Sequence, residues 1–479
     1  MIISWFFFFY LLLSLPVLVV SWYFSEPFWL MLSQDLAVMG LCVMLLVFLL
    51  QYYFRQRLFA IESNQYVIVV MLWLGAAILG ASIFKIYPVA MSWDDAFFAS
   101  VSGLTTTGLD VFSSLNSLPK SMLFLRMWIQ FIGGLGIILM AMTALTTGGF
   151  LVGRGVKSDL PGPVVSYSRK RPKMTDIARY LWLIYCATAL VCCVSLRVLG
   201  LSWYESLCES FSIVSTGGYT LHDAGVAHYQ SSGVKVITIL FMLFSGINYL
   251  LHYQFFVLRE YLGYRSNIEF RSYLSILLSM ALLFIVVMWL YGSGIPILDI
   301  VFMVVSMTSS AGFVVGDIQN WPSFLPLLLI FLGLVGGCAG STSGGIKIIR
   351  WQFLVKEGAR ACQLMRHPRA ILSDPAVAVG MSGSSADHQI TIMRGFFSMY
   401  IGYFLVSILI LSGLGMDFTS AFFAVCASLS NTGVMLTSPA GVASLSGPVK
   451  NWLALTMLIG RIEILAFFVI LSPSYWMEK

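Results

Sequence analysis

The stretch Ser102-Gly-Leu-Thr-Thr-Thr-Gly108 has three relatives further along the chain, each short, polar and ended by glycine. These relatives are Ser212-Ile-Val-Ser-Thr-Gly217, Ser306-Met-Thr-Ser-Ser-Ala-Gly312 and Ser428-Leu-Ser-Asn-Thr-Gly433. The four glycines recur at intervals of 109, 95 and 121 residues, and each lies 12 or 13 positions after Asp95, Glu205, Asp299 or Ser420. Self-similarity at a long period is the signature of a repeated architecture. The sequence therefore predicts four copies of one structural unit.

Each polar stretch lies between two long apolar segments, which are predicted to be helices. The first helices are Val67–Ile86, Tyr180–Leu199, Tyr273–Leu290 and Gly395–Leu414; the second are Ser121–Leu145, Val234–Val257, Pro322–Val355 and Leu453–Leu471. About 20 apolar residues cross a hydrocarbon core of ~30 Å, so the shorter segment between the two helices must enter and leave on one side. Such a re-entrant loop is tolerated only where it lines a water-filled path or is buried in protein.

The composition agrees with a membrane protein. Hydrophobic residues make up 59% of the chain and charged residues 10%, against roughly 25% charged residues in soluble domains. Two further spans, Ile2–Phe24 and Phe28–Phe54, precede the repeats. No Lys or Arg precedes Arg55, so we expect a retained hairpin and not a cleaved signal peptide.

The predicted fold is therefore an all-α polytopic membrane protein with four helix–pore-loop–helix units around a central pore. The predicted division is a hairpin at 1–60 and units at 61–150, 151–262, 263–372 and 373–479. The second helix of the third unit is expected to be broken.

Charge is distributed unevenly between the connections. Lys and Arg concentrate at 148–180 and 347–394, whereas the alternate connections carry acids such as Asp95, Asp110 and Asp223. Cytoplasmic loops hold the excess of basic residues, so the charge distribution predicts that both termini lie in the cytoplasm. The expected location of the protein is the cell inner membrane. The basic run Arg169–Lys173 could suggest nucleic acid, but beside a membrane helix an orientation signal or contact with anionic lipid is favoured.

The cysteines and histidines show no spacing typical of a zinc site, so neither a transition metal nor a bound cofactor is expected. The loop ends have the chemistry of a cation filter. Rings of backbone carbonyls replace the hydration shell of a permeating ion, and glycine permits the torsions that aim a carbonyl at the pore. The negative ends of the short helices would also point towards the ion. The candidate ion-binding residues are Thr106, Thr107, Gly108, Ser215, Thr216, Gly217, Ser310, Ala311, Gly312, Asn431, Thr432 and Gly433.

The second helix of the third unit contains Gly336-Gly-Cys-Ala-Gly-Ser-Thr-Ser-Gly-Gly345. Glycine costs about 1 kcal/mol relative to alanine inside a helix, so this run predicts a flexible intramembrane loop that obstructs the pore. A close helix-packing surface is the alternative, since small residues favour approach in membranes. A hydrolase nucleophile elbow fails because threonine occupies the nucleophile position. The candidate gate residues are Gly336, Gly337, Gly340, Ser341, Thr342, Ser343, Gly344, Gly345 and Arg461.

Arg461 belongs to the gate because it lies near the middle of the last predicted span. A central Arg costs about 2.5–3.5 kcal/mol on insertion scales. Facing a water-filled pore reduces that cost, and its positive charge would there oppose a permeating cation.

The sequence also resembles the membrane subunit of bacterial Trk-type potassium uptake systems, within a superfamily that includes Ktr and fungal and plant cation transporters. The resemblance covers nearly the whole chain. Its motifs are Ser102–Gly108, Gln130-Phe-Ile-Gly-Gly-Leu-Gly136, Ser215-Thr-Gly-Gly-Tyr219, Gly336–Lys347 and Gly460-Arg-Ile-Glu463. It implies potassium as the transported ion, a homodimer, a cytoplasmic nucleotide-binding ring as regulatory partner, and an Arg461 that faces the pore beneath the filter.

The resemblance also assigns the filter glycines to Gly108, Gly217, Gly312 and Gly433, and glycine at all four positions implies potassium selectivity. The third loop departs from the usual Thr-Thr-Gly because it has Ala311, which keeps a backbone carbonyl but lacks a hydroxyl. The alternative function is a symporter that couples potassium to protons or sodium, a class that usually has inverted repeats and titratable residues in the midplane. An enzyme is not expected, since no cluster of reactive side chains emerges.

Overall fold

The computed structural model describes residues 2–62, 65–87, 89, 91–147, 174–316, 318, 321–322, 324–368, 386–435 and 442–473. Helices dominate these residues, and no strand occurs among them. Residues 148–173 and 369–385 of the two predicted basic connections lie outside the described residues.

The helices follow the predicted order of a hairpin and four units. The hairpin consists of α1 (Ile2–Tyr23) and α2 (Trp29–Glu62). The first unit contains α3 (Gln65–Ile86), α4 (Trp93–Leu104) and α5 (Lys120–Thr147). The second contains α6 (Met174–Val198), α7 (Trp203–Ser215), α8 (Ser232–Ser245) and α9 (Tyr249–Phe256), followed by the short α10 (Leu262–Ser266).

The third unit contains α11 (Ile268–Leu290), α12 (Ile297–Thr308), α13 (Phe324–Val335) and α14 (Ile348–Arg366). The fourth contains α15 (Ala386–Gly413), α16 (Phe418–Leu429), α17 (Gly447–Ile462) and α18 (Ile464–Leu471). Six of the described helices are long and apolar enough to cross a membrane, and two bent pairs raise the number to eight if each pair is one span.

The bent pairs correct the sequence prediction for two of the second helices. The apolar pattern predicts one helix over Val234–Val257 and one over Leu453–Leu471, but α8 and α9 meet at 93° and α17 and α18 at 107°. Asn248 begins the new helix in the second unit by accepting the Leu250 N–H at 2.8 Å. In the fourth unit, Glu463 at the break has a φ of +75°. The break in the third unit lies between α13 and α14, where the glycine run predicts it.

Three of the four short helices begin at polar caps. Ser92 accepts the Asp95 N–H at 3.1 Å, Ser202 and Glu205 form a reciprocal capping box, and Asp417 accepts the Ser420 N–H at 3.0 Å. The third short helix begins after Pro296 and has no side-chain cap. Caps of this kind satisfy N–H groups that a helix start leaves unpaired. The three caps fix where their helices start.

The four units form a closed ring. The second helix of each unit packs against the short helix of the next: α5 on α7, α8 on α12, α13 on α16, and α17 on α4. Two ion pairs reinforce these contacts, Lys235–Asp299 at 2.5 Å and Lys450–Asp95 at 2.6 Å. Because the fourth unit contacts the first, the ring surrounds a single axis.

The hairpin attaches to the outside of the first unit. Helix α1 packs against α3 and α5. Glu26, which is buried, accepts the Ser121 N–H at 2.9 Å and its hydroxyl, and the Trp128 indole N–H donates to the Leu12 carbonyl at 2.9 Å. A carboxylate at the start of α5 also lies at the positive end of that helix. The hairpin is therefore part of the folded body.

Candidate functional site

The ends of the four short helices have the same backbone conformation. A non-glycine residue first adopts a left-handed conformation, with φ values of +53°, +52°, +51° and +53° at Thr106, Thr216, Ser310 and Asn431. Two residues later comes a glycine with positive φ, at Gly108, Gly218, Gly312 and Gly433. The residue between them donates its N–H to a carbonyl five residues earlier, at 2.8–3.0 Å in each loop. Left-handed turns of this kind close helix ends and satisfy their carbonyls.

This equivalence corrects the register of the second loop by one residue. Gly218, and not Gly217, corresponds to Gly108, and each of the four equivalent glycines then lies fifteen positions after the first residue of its short helix. The sequence pattern misassigns the position because two adjacent glycines are available. Gly217 occupies the position of Thr107, Ala311 and Thr432. Ser215 lies at the helix end, where its hydroxyl donates to the Ser212 carbonyl at 3.2 Å.

The structure brings the four loops into contact around one ring. A Cβ on Gly108 would overlap the Gly217 carbonyl oxygen, and one on Gly218 would overlap that of Ala311. A Cβ on Gly312 would overlap the Thr432 oxygen, and one on Gly433 the Thr107 oxygen. Each glycine therefore faces a carbonyl of the next unit, and the fourth faces the first. Side chains at these glycines would push the loops apart.

Gln130 fixes the second loop from the first unit. Its amide nitrogen donates to the Gly217 carbonyl at 2.6 Å, and a Cβ on Gly217 would overlap the Gln130 side chain. Gly217 is absent from the residues with positive φ. Glycine is therefore needed at position 217 because Gln130 leaves no room for a Cβ, and not because the backbone requires a positive φ.

A cavity of about 520 Å³ opens on one side of the ring. Its lining includes Gly108, Gly218 and Gly312 together with Asp110 and Asp223. Asp223 accepts the Leu115 N–H at 2.6 Å, and this hydrogen bond holds the pKa of the exposed Asp223 carboxyl below its usual value. Asp223 therefore places a negative charge at the approach to the ring, which attracts cations.

Sequence reasoning missed the pairing of Arg126. Its side chain is 1% exposed, forms an ion pair with Asp110, and lies 4.3 Å from the centre of the Tyr219 ring. A buried Arg requires such a partner. The sequence contains a signal for this ion pair, namely an Arg within an apolar helix and an Asp two residues after a loop glycine.

The broken segment of the third unit lies against the opposite side of the ring. Thr216 Oγ1 lies 3.2 Å from Thr342 Oγ1, and Thr342 Oγ1 lies 3.3 and 3.2 Å from the Val214 and Ser245 carbonyl oxygens, to either of which it can donate its proton. The Gly344 N–H donates to the Ser310 hydroxyl. The segment thus contacts both the second and the third loop.

The broken segment also forms hydrogen bonds with the fourth unit. The Gly345 N–H donates to the Ser430 carbonyl at 2.9 Å. Arg461, which is 5% exposed, donates from Nη2 to the Thr342 carbonyl at 2.8 Å. Glu463 does not pair with Arg461 but with Arg350, at 2.9 Å. A fixed positive group therefore lies beside the segment and close to the ring.

The remaining candidate gate residues surround the same contacts. Gly336 and Gly345 approach each other so closely that a Cβ on either would meet the backbone of the other side of the break. A Cβ on Gly337 would overlap the Ser343 hydroxyl, and one on Gly340 would lie 2.9 Å from Asn248 Oδ1. Ser341 and Ser343 share a hydrogen bond at 2.5 Å. The small residues thus allow a folded loop. Among the described residues, no group of three or more His, Cys, Asp or Glu could hold a metal.

Comparison with known proteins identifies the family. A family model described as a cation transport protein, TrkH, matches residues 33–293 and 286–478. The chain belongs to the TrkH family of cation transport proteins. This membership and the long apolar helices make it a multi-pass membrane transport protein and not an enzyme.

Relatives of this TrkH-family chain are similar over most of their length. It is 36% identical over 420 residues to the Trk system potassium uptake protein TrkH of Salmonella typhimurium, covering 86% of each chain. It is 30% identical to the Trk system potassium uptake protein TrkG of Escherichia coli, covering 86% of this chain and 85% of that one. The crystal structure of the potassium transporter TrkH from Vibrio parahaemolyticus matches with a TM-score of 0.86 at 30% identity, covering 99% and 98% of the two chains. The all-α polytopic fold predicted from the sequence is thereby confirmed.

The corrected register predicts that Gly218→Ala lowers cation flux as strongly as Gly108→Ala. Both substitutions place a Cβ against a neighbouring carbonyl at a glycine of positive φ. We expect at least a roughly tenfold loss, since strained backbone of this kind costs on the order of 1–3 kcal/mol before any overlap. Rubidium uptake into vesicles with the purified chain measures the flux.

Gly200→Ala is the matched control. Gly200 also has a positive φ, of +103°, but no atom lies within 4 Å of its would-be Cβ. Normal flux in Gly218→Ala would contradict the equivalence of Gly218 with Gly108, whereas loss of flux in all three variants would show only general backbone strain.

Proposed function

We propose that the chain is the potassium-selective, channel-like conducting subunit of a Trk-type potassium uptake system. The observation that carries the proposal is the ring in which four loop ends of one chain meet, each glycine against a carbonyl of the next unit. Relatives named for potassium uptake support the choice of ion.

The proposed filter residues are the three at the end of each loop. They are Thr106, Thr107 and Gly108; Thr216, Gly217 and Gly218; Ser310, Ala311 and Gly312; and Asn431, Thr432 and Gly433. Backbone carbonyls are the ligands that replace potassium's hydration shell. Because the carbonyl is a backbone group, Ala311 supplies it as well as threonine would. Ser215, which the sequence pattern includes among the ion-binding residues, is left out of the filter because it lies at the helix end.

The proposed location is the inner membrane, with both termini in the cytoplasm. In this orientation, the cavity beside Asp110 and Asp223 opens on the outer side of the membrane. Potassium then enters through a negatively charged approach. An inside-negative potential supplies about 2.3 kcal/mol per charge for each 100 mV, which drives accumulation without coupling to a second ion. We also propose that the hairpin and the four units are divided after residues 60, 150, 262 and 372, as the repeat pattern of the sequence indicates.

We propose that the segment 336–345 and Arg461 close the pore beneath the filter. The support is their position, since the segment bonds to the second, third and fourth units on one side of the ring. Arg461 adds a positive charge that raises the barrier to a cation. Conduction requires these contacts to break.

The proposed assembly is a homodimer regulated by a cytoplasmic nucleotide-binding ring. Its support is the resemblance to the Trk branch and the description of relatives as members of a Trk system. The symporter alternative would need a titratable group at the ring. The described loop ends contribute hydroxyl, amide and backbone groups there, so no observation favours coupling.

The decisive experiment is uptake of potassium and of sodium by the purified chain in vesicles under an imposed potential. We expect potassium uptake that follows the potential and does not respond to a proton or sodium gradient. Uptake that needs either gradient would contradict the proposal and support the symporter.

Gly108→Ser is expected to admit sodium more readily. A serine side chain at this position would displace the neighbouring Gly217 carbonyl and loosen the ring. We expect the sodium-to-potassium flux ratio to rise at least about threefold, which corresponds to a loss of under 1 kcal/mol in discrimination. Gly200→Ser is the control, and an unchanged ratio in Gly108→Ser would count against the filter.

Arg461→Ala is expected to raise potassium flux. It removes both the positive charge below the ring and the hydrogen bond that holds the Thr342 carbonyl. We expect a rise of roughly tenfold in open probability, in line with hydrogen bonds to charged groups. Planar-bilayer recording measures it. Arg197→Ala is the control, since Arg197 donates to the Leu201 carbonyl at the rim; equal behaviour of the two variants would refute the role of Arg461.

A further inference from the structure

Glu269 is the second residue of α11, and its side chain is 7% exposed. Sequence patterns do not single it out, because it lies in the first helix of the third unit, far from both the loop end and the glycine run in the sequence. In the structure, its carboxylate reaches the broken segment from outside the ring.

One oxygen of Glu269 contacts both sides of the break. Oε1 accepts the Ala339 N–H at 2.7 Å and the Ile349 N–H at 3.3 Å. Ala339 lies within the glycine-rich segment, and Ile349 lies in the first turn of α14. A single carboxylate therefore ties the segment to the helix that follows it.

The start of α14 depends on this external acceptor. Lys347, the residue before the helix, has a φ of +81° and makes no side-chain cap. The first N–H groups of a helix have no partner within it. Glu269 accepts one of these N–H groups, and its negative charge lies near the positive amino ends of both α11 and α14.

Other contacts hold the segment without a negative charge. From the second unit, the Gly246 carbonyl accepts the Cys338 N–H at 3.0 Å, and the Tyr249 N–H donates to the Gly340 carbonyl at 3.0 Å. These are backbone bonds between neutral groups. Hydrogen bonds to a charged group contribute more than neutral ones. Glu269 is therefore the strongest acceptor that the segment loses when it leaves its place.

We infer that Glu269 is a positioning residue that latches the segment 336–345 in the closed conformation. The inference rests on the proposed gating role of that segment. Glu269 lies outside the ring, so it acts on the equilibrium between closed and open forms and leaves ion selection unchanged. It couples the first helix of the third unit to the gate.

The test compares Glu269→Ala, Glu269→Gln and the loop deletion of 340–345 in planar bilayers. We expect Glu269→Ala to raise open probability roughly tenfold, as for loss of a hydrogen bond to a charged group. Glu269→Gln keeps an oxygen acceptor but loses the charge, so it should raise open probability only about threefold, because a neutral hydrogen bond retains about half of the stabilisation. The ratio of potassium to sodium permeability should be the same in the two Glu269 variants as in the unmodified chain. Glu260→Ala removes an exposed carboxylate shortly before the same helix and is the control.

The outcomes separate the latch from the gate. A deletion that raises open probability together with an unchanged Glu269→Ala would overturn the latch and leave the gate standing. If the deletion also had no effect, the proposed gate itself would fall. An equal rise in Glu269→Gln and Glu269→Ala would contradict the role of the oxygen as hydrogen-bond acceptor.

A second measurement does not depend on conduction. Cys338 is 1% exposed and precedes Ala339, so a hydrophilic thiol reagent should reach it only when the segment moves. With Cys42, Cys186 and Cys362 replaced by serine, we expect Glu269→Ala to speed modification of Cys338 several-fold, Glu269→Gln to speed it less, and Glu260→Ala to leave it unchanged. An unchanged rate in Glu269→Ala would overturn the latch even if that variant failed to conduct.

Discussion

A backbone group that leaves a helix inside a membrane must find another partner, because the hydrocarbon offers none. In its described residues, this chain leaves helical structure at the ends of four short helices and at three breaks in its second helices. The loop ends solve the problem by turning back on themselves, as when the Thr107 N–H donates to the Ser102 carbonyl at 2.9 Å. The turns satisfy the N–H groups and leave the carbonyls of the same residues at the contacts between loops. A ring of carbonyls is thus a consequence of closing each helix in this way.

The break of the third unit solves the problem by bonding to the break of the second unit and to the end of the fourth short helix. The Cys338 N–H donates to the Gly246 carbonyl, and the Gly345 N–H donates to the Ser430 carbonyl. The segment of the third unit therefore supplies partners to the second and fourth units while it lies against the ring. If the segment is the gate that we propose, its closed position is favoured by the same requirement that shapes the loop ends. Opening would then require the segment to exchange these partners for water in the pore.

Much of this architecture follows from the sequence. The four repeats, the re-entrant segments and the glycine-rich break are visible because apolar length and helix-breaking residues act locally. The register of the second loop is not recoverable in that way, since Gly217 and Gly218 both fit the spacing and only contacts across the ring distinguish them. The bends at Asn248 and Glu463 escape detection because each break is only a few residues long within an apolar stretch. Glu269 escapes it because its partners lie about 70 and 80 positions away.

The four units are alike at the ring and differ below it. Charge explains why four units in a single chain allow this difference better than a symmetric tetramer would. In a symmetric tetramer, a change in one unit appears four times. Four guanidinium groups at the place of Arg461 would put several positive charges together beneath a cation path, where they would repel both one another and the ion. A single chain can place one Arg in the fourth unit, one long break in the third, and the buried Arg126–Asp110 pair in the first. The common loop ends are kept because every glycine of the ring must meet the carbonyl of a different unit. Divergence below the ring is therefore compatible with symmetry at the ring, and the gate that we propose consists of parts that occur once.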